Sequence, residues 1–184
     1  MKPIETSYNG YRFRSRLEAR TAVFLDAAKI PYLYEPEGVV FEDGTTYLPD
    51  FYLPQQDTFL ECKGIMNNKD EHKIGLLAKA TGKEIIIVGP SMEIFTGEWA
   101  DNMHERCPLD PDGPGLDVQD AFIGRCDNCH KLFIAPINYG WECRCCGYYD
   151  VDSGFEWLYD YENTNYEPII KAKQARFEFG EAGA

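Results

Sequence analysis

Basic charge is scarce in this sequence. Against 31 Asp and Glu stand 18 Lys and Arg, a formal net charge of −13, and each third of the chain holds more acid than base. Long-range steering toward a polyanion is therefore weak, and any grip on phosphates must come from local clusters or a bound cation. Long apolar runs are missing as well. No stretch approaches membrane-spanning length, and the opening Met1-Lys-Pro-Ile-Glu5 lacks the charged-then-apolar form of a signal peptide. The expected setting is cytoplasmic, with no membrane partner. A dispersed disulfide framework is also lacking, because five of the seven cysteines fall between Cys126 and Cys146 in the spacing of metal knuckles. What is present suffices for one full domain and a small appendage: 184 residues, 44% of them hydrophobic.

The most informative stretch runs from Thr46 to Gly64. Tyr47 to Leu53 and Thr58 to Lys63 are short aromatic and aliphatic runs joined by the turn-forming Pro54-Gln-Gln-Asp57, which predicts a β-hairpin. Pairing Leu53 with Thr58 sets Asp50 opposite Glu61. Side-chain alternation then puts Glu61 and Lys63 on one face, Leu60 and Cys62 on the other. Two carboxylates facing each other across a strand pair repel, so a cation between them is expected. A divalent metal suits: magnesium takes one or two carboxylates and leaves room for phosphate oxygens. Lys63 would orient or deprotonate the attacking water. The plainer alternative is a solvated pair of acids with Lys63 as an ordinary ion-pair partner.

Pro49-Asp50 followed by Glu61-Cys62-Lys63 resembles the PD-(D/E)XK nuclease signature. Phe13-Arg-Ser-Arg-Leu-Glu18, Tyr47-Leu-Pro-Asp-Phe-Tyr-Leu-Pro54 and Glu61-Cys-Lys-Gly64 resemble, in order and roughly in spacing, the Holliday-junction resolvases of the phage endonuclease I type. The resemblance covers about residues 8 to 96. It implies a restriction-endonuclease-like α/β core, a mixed sheet flanked by helices, and metal-dependent cleavage of DNA. It also implies a site in which Glu18, Asp50, Glu61 and the backbone carbonyl of Cys62 hold Mg2+ or Mn2+ while Lys63 positions the water. Resolvases of this type have a longer arm before the Phe13 block and form strand-exchanged homodimers.

Read along the chain, Ser7-Tyr-Asn-Gly10 is a turn leading through an alternating basic and aromatic run into a helix. Arg12, Arg14, Arg16 and Arg20 form the densest basic cluster and the expected nucleic-acid contact. Ser15 and Glu18 are spaced as a capping box, so on spacing alone Glu18 serves the helix N-terminus as readily as a metal. The resemblance favours the metal. Leu17, Thr21, Phe24, Leu25 and Ala28 predict a buried helical face ending near Pro31. Tyr32 to Glu35 and Val39 to Glu42 read as strands, Asn67 to Thr81 as a helix capped by Gly82, and Lys83 to Gly89 as a buried strand. Lys69, His72 and Lys73 could lie along DNA, although such a face is more often simply solvated. Met92 to Arg106 carries no clear signal; His104 and Cys107 stand alone.

Pro108 to Gly115 is rich in Pro and Gly, dividing the chain into a nuclease domain (1–106), a linker (107–120) and a C-terminal part (121–184). There, Cys126-Asp-Asn-Cys129 and Cys143-Arg-Cys-Cys146 match the knuckles of a zinc ribbon. Cys126, Cys129, Cys143 and Cys146 are the expected Zn2+ ligands, with Phe122, Phe133, Tyr139, Trp141 and Tyr148 as strand residues. Cys145 could replace Cys146, but the glycine after Cys146 favours the latter. Four thiolates leave no open position, so the zinc would be structural. The ribbon could support the fold or meet a protein partner. Phe155 to Tyr166 should cover the ribbon or the sheet, Pro168 to Phe179 could form a short amphipathic helix, and residues 180–184 read as a frayed end. The expected function is a metal-dependent DNA endonuclease, with four-way or branched junctions as the substrate that the resemblance implies. The alternatives are a nicking, restriction-like or repair nuclease on duplex DNA, or an inactive zinc-ribbon adaptor.

Overall fold

The computed structural model describes residues 3–100, 115–137, 142–149, 155–160, 162 and 164–177. His104, Cys107, linker residues 107–114, Tyr139, Trp141 and the tail from residue 178 lie outside them.

Thr6–Tyr8 (β1) and Tyr11–Phe13 (β2) pair around Asn9 and Gly10, whose positive φ angles of 47° and 83° make the two-residue turn that Asn-Gly favours. A strand therefore stands where the sequence predicted a direct run into the helix. The helix Arg16–Ala28 (α1) starts at Ser15, whose hydroxyl accepts from the Glu18 N–H, and buries Ala19, Ala22, Val23, Phe24 and Leu25. Leu33–Tyr34 (β3), Val39–Val40 (β4) and Thr46–Tyr47 (β5) are short. The central hairpin, Phe51–Leu53 (β6) and Thr58–Cys62 (β7), has the register expected from its loop: Leu53 faces Thr58, Tyr52 faces Phe59 and Phe51 faces Leu60.

The helix Asn68–Thr81 (α2) begins on the Asn67 side chain and ends on Gly82 in the left-handed region. It returns the chain to Ile85–Val88 (β8), which runs parallel to β7, as a strand–helix–strand crossover requires. Ile94–Ala100 (β9), Gly115–Cys126 (β10), Leu132–Pro136 (β11) and Phe155–Tyr159 (β12) extend the sheet before the helix Glu167–Gln174 (α3). The result is a mixed eight-stranded sheet in the order β11-β10-β9-β8-β7-β6-β3, with β12 also paired to β10; β4 and β5 form a separate pair.

Alternation along β8 shows how the layers are made. Ile86 and Val88 enter a core with α1 and α3, while Ile85 and Ile87 enter a second core under α2. All four are buried, each contributing about 1.5–3 kcal/mol of apolar transfer. The same period-two logic joins the C-terminal part to the rest. On β10 and β11, Ala121, Ile123 and Ile134 face the α1–α3 core, whereas Phe122, Phe133 and Ala135 face a third cluster around Cys126 and Cys143.

Residues 115–120, read from the sequence as the end of a linker, are instead the first half of β10 and pair with β9 from Gly115↔Ala100 to Asp120↔Phe95. The second half pairs with β11 and β12. One strand thus belongs to both the main sheet and the cysteine-bearing hairpin. The Pro/Gly-rich composition before it marks the approach to a strand, because Leu116 and Val118 supply the apolar contacts that hold it to the α2 core.

Candidate active site and metal centre

The β6–β7 hairpin gathers the predicted acids. Asp50, just before β6, and Glu61, on β7, interlock through the backbone: the Asp50 N–H donates to Glu61 Oε1 (3.2 Å), and the Cys62 N–H donates to Asp50 Oδ2 (2.8 Å). Both carboxylates are buried, Glu61 completely. Lys63 continues the β7–β8 ladder through its N–H to the Val88 carbonyl (3.0 Å) and reaches Glu61 Oε2 with Nζ (2.8 Å). The Tyr47 hydroxyl donates to the same oxygen (2.7 Å). The Cys62 thiol lies on the opposite side of the strand, against Thr21 of α1 at 3.2 Å, as alternation predicts.

Glu18 approaches from the first turn of α1. Its carboxylate accepts from the Ser15 hydroxyl (2.7 Å), the Arg14 N–H (3.0 Å) and the Tyr34 hydroxyl (2.7 Å). One half of the capping box that the spacing suggested is formed, with the Glu18 N–H donating to Ser15 Oγ (3.1 Å), while the Glu18 carboxylate reaches back to the N–H of Arg14, one residue before the cap. Arg14 connects this group to the hairpin, with Nη2 on Asp50 Oδ1 (2.8 Å) and Nε on Glu35 Oε1 (2.7 Å). The Arg14 guanidinium is therefore paired with Glu35 and Asp50 and the Lys63 ammonium with Glu61, while Glu18 meets Arg14 through its backbone N–H.

The electrostatics follow from burial and crowding. Burial first, then the Glu61 carboxylate, pushes the Asp50 carboxyl up to about 7. Burial would pull the Lys63 ammonium down, but Glu61 and Asp50 together outweigh it and the net shift is upward. Lys63 is thus held as a cation and donor and is ill suited to be a base in this state. Burial, reinforced by Glu61, raises the Tyr47 phenol as well, which keeps it a donor to Glu61.

The hard oxygens of Asp50 and Glu61 are the right kind of donor for magnesium. They are also already engaged by protein donors. Among the described residues, the only group of three or more potential metal-binding side chains whose donor atoms lie within 4.8 Å of one another is Cys126, Cys129, Cys143 and Cys146.

That quartet is built from two matching turns. In the first, the Cys126 carbonyl accepts from the His130 N–H (2.8 Å) and the Cys126 N–H donates to the Lys131 carbonyl (3.0 Å). In the second, the Cys143 carbonyl accepts from the Gly147 N–H (2.8 Å) and the Cys143 N–H donates to the Tyr148 carbonyl (2.8 Å). The residue after each second cysteine is left-handed, His130 at φ 57° and Gly147 at 67°. Sγ separations of 3.8 Å for Cys126–Cys146 and 3.7 Å for Cys129–Cys143 match the edge of about 3.8 Å of a tetrahedron with metal–sulfur bonds of about 2.3 Å. The four cysteines could bind a metal ion, and their geometry is compatible with zinc. Cys145 is outside the group: its thiol faces the Leu132 carbonyl (3.4 Å) and the Gln55 side-chain amide (3.4 Å).

The four arginines of the expected basic cluster have different surroundings. Arg12 pairs with Glu5 and Arg14 with Glu35 and Asp50; Arg16 is exposed, and the half-buried Arg20 has a buried Nε without a hydrogen-bond partner. Tyr34, Glu35 and Tyr47 were not singled out from sequence. Nor were Gln55 and Gln56, read as mere turn residues. The Gln56 amide accepts from the Ile134 N–H (3.1 Å) and donates to its carbonyl (3.2 Å), while Gln55 donates to the Leu132 carbonyl (2.8 Å). The tip of the acidic hairpin is thereby fastened to β11.

Fold and site together define a mixed α/β protein with a candidate four-cysteine metal centre, and none of its described helices is long and apolar enough to cross a membrane. The chain matches no protein-family model, no curated protein and no solved structure.

Proposed function

We propose that the chain is a metal-dependent endonuclease of PD-(D/E)XK type, cutting DNA phosphodiester bonds, with branched DNA as the leading substrate. The observation that carries this reading is the interlocked Asp50–Glu61 pair with Lys63 on Glu61, in a buried hairpin backed by Glu18. Asp50 and Glu61, with Glu18 and the Cys62 carbonyl, are the groups that would hold Mg2+ or Mn2+. A bound divalent ion would supply charge for the phosphate oxygens and acidify water. Lys63, kept as an ammonium by its carboxylate neighbours, holds a positive donor where charge develops on the phosphate. Tyr47 fixes the orientation of Glu61 through its hydroxyl. The four cysteines would hold zinc as a structural centre.

The test is cleavage of a labelled four-way junction and a supercoiled plasmid, with Mg2+ or Mn2+ and with chelator, beside Asp50→Ala. Metal-dependent cutting lost in the variant is the expected result, and preference for the junction over the plasmid separates a resolvase from a nicking enzyme. A purified Asp50→Ala protein that cuts as fast as the parent sinks the assignment.

One observation favours a second reading, a binding protein without activity: Arg14, Lys63, Tyr47 and the backbone already occupy Asp50 and Glu61. Absence of any Asp50-dependent binding of Mn2+ would favour it.

A further inference from the structure

We infer that Arg14 is a built-in counter-cation that holds the divalent metal's place at Asp50, so that loading proceeds by exchange against its guanidinium. This inference rests on the metal-site reading above. The two oxygens of Asp50 differ in what they can give up. Oδ2 is tied to the Cys62 N–H at 2.8 Å within the hairpin backbone, whereas Oδ1 takes Arg14 Nη2 at 2.8 Å. The Asp50 side chain is 9% exposed and that of Arg14 52%, so the guanidinium covers the buried acid from the solvent side. It occupies the Asp50 oxygen that the backbone leaves free.

The surroundings hold Arg14 in this position without burying it. Its N–H is fixed by Glu18 Oε2 and the Tyr34 hydroxyl, at 3.0 and 3.1 Å, and its Nε lies on Glu35 at 2.7 Å. Glu35 has a φ of 45°, a conformation that a residue with a side chain keeps only where its contacts enforce it. One of those contacts is its own N–H on the Asp50 carbonyl, at 2.9 Å. Glu35 is therefore aimed at Arg14 by the backbone that carries Asp50. Two cations do not share one carboxylate oxygen without strong repulsion. A guanidinium released from Asp50 still has Glu35 as partner. It remains at the mouth of the site, with the fork geometry that suits a phosphate.

The experiment titrates the zinc-loaded 184-residue chain with Mn2+ at about pH 8, above the ordinary carboxylate range, reading unbound Mn2+ by electron paramagnetic resonance. The parent is compared with Arg14→Gln, Asp50→Asn and the charge-matched surface variant Lys69→Gln. A neighbouring unit charge changes a carboxylate's preference for a cation by about one to three powers of ten. Arg14→Gln is accordingly expected to tighten the Asp50-dependent site at least about tenfold, with Lys69→Gln close to the parent. Equal or weaker binding in Arg14→Gln, with a site still lost in Asp50→Asn, overturns the exchange and leaves the metal site standing. No Asp50-dependent Mn2+ in parent or Arg14→Gln overturns both.

Discussion

Asp50 is where the chemistry of single residues is most exposed to test. Its carboxyl is pushed up to about 7 by burial and by Glu61, against about 3.9 in an unfolded chain. Between those values the folded state keeps a proton that the unfolded state releases, so stability falls as pH rises from about 4 to about 7 and the full penalty remains above. Asp50→Asn cannot ionise. In magnesium-free buffer it is expected to exceed the parent in stability at about pH 8 by about 1–3 kcal/mol and to match it near pH 4, as read from denaturant midpoints. A gap that does not change with pH would contradict the assignment. At this scale the sequence was legible for Asp50, Glu61 and Lys63, because a two-residue period and a short loop fix who faces whom. Glu35 and Tyr34 were not, since their role depends on a left-handed backbone at Glu35 that composition does not encode.

Among elements, the cysteine turns and the hairpin tip behave as one assembly. The spacing of the four cysteines was enough to predict the quartet, and the left-handed Gly147 explains why Cys146 belongs to it. Cys146→Ser is expected to lose most bound zinc and Cys145→Ser to keep about one ion per chain, by elemental analysis. The opposite pattern would reassign the ligand. The glutamine clasp was hidden, because a side-chain amide pairing with a strand edge leaves no periodic trace. Removing it in Gln56→Ala takes away two hydrogen bonds to Ile134 and should cost about 1–2 kcal/mol in a denaturant titration. No measurable change would mean that water replaces the clasp without loss. Helices α1 and α2 were readable from caps and apolar spacing; β9 was missed because Gly97 and Glu98 interrupt its alternation.

For the whole molecule, β10 decides cooperativity. It pairs with β9 along one half and with β11 and β12 along the other, and Ala121, Ile123 and Ile134 complete the core of α1 and α3. A chain ending at residue 106 loses these contacts and is expected to be unfolded or aggregated, and the full chain to melt in one transition by calorimetry and by circular dichroism alike. Two separated transitions would show that the halves are independent. Composition suggested a linker here because Pro and Gly cluster before β10, while the pairing that makes residues 115–120 a strand is contributed by β9 from outside the segment.

The position of β10 also has a consequence for biosynthesis. As the chain leaves the ribosome, the acidic hairpin and β9 emerge well before β10 and β11, the strands that pair with β9 and receive Gln56. Until then β9 presents an open edge to other nascent chains, and the hairpin tip has nothing to hold. The order of translation leaves the tip of the acidic hairpin unfastened until β11 has been released, and the second cysteine turn, from Cys143 to Cys146, follows β11 in the chain.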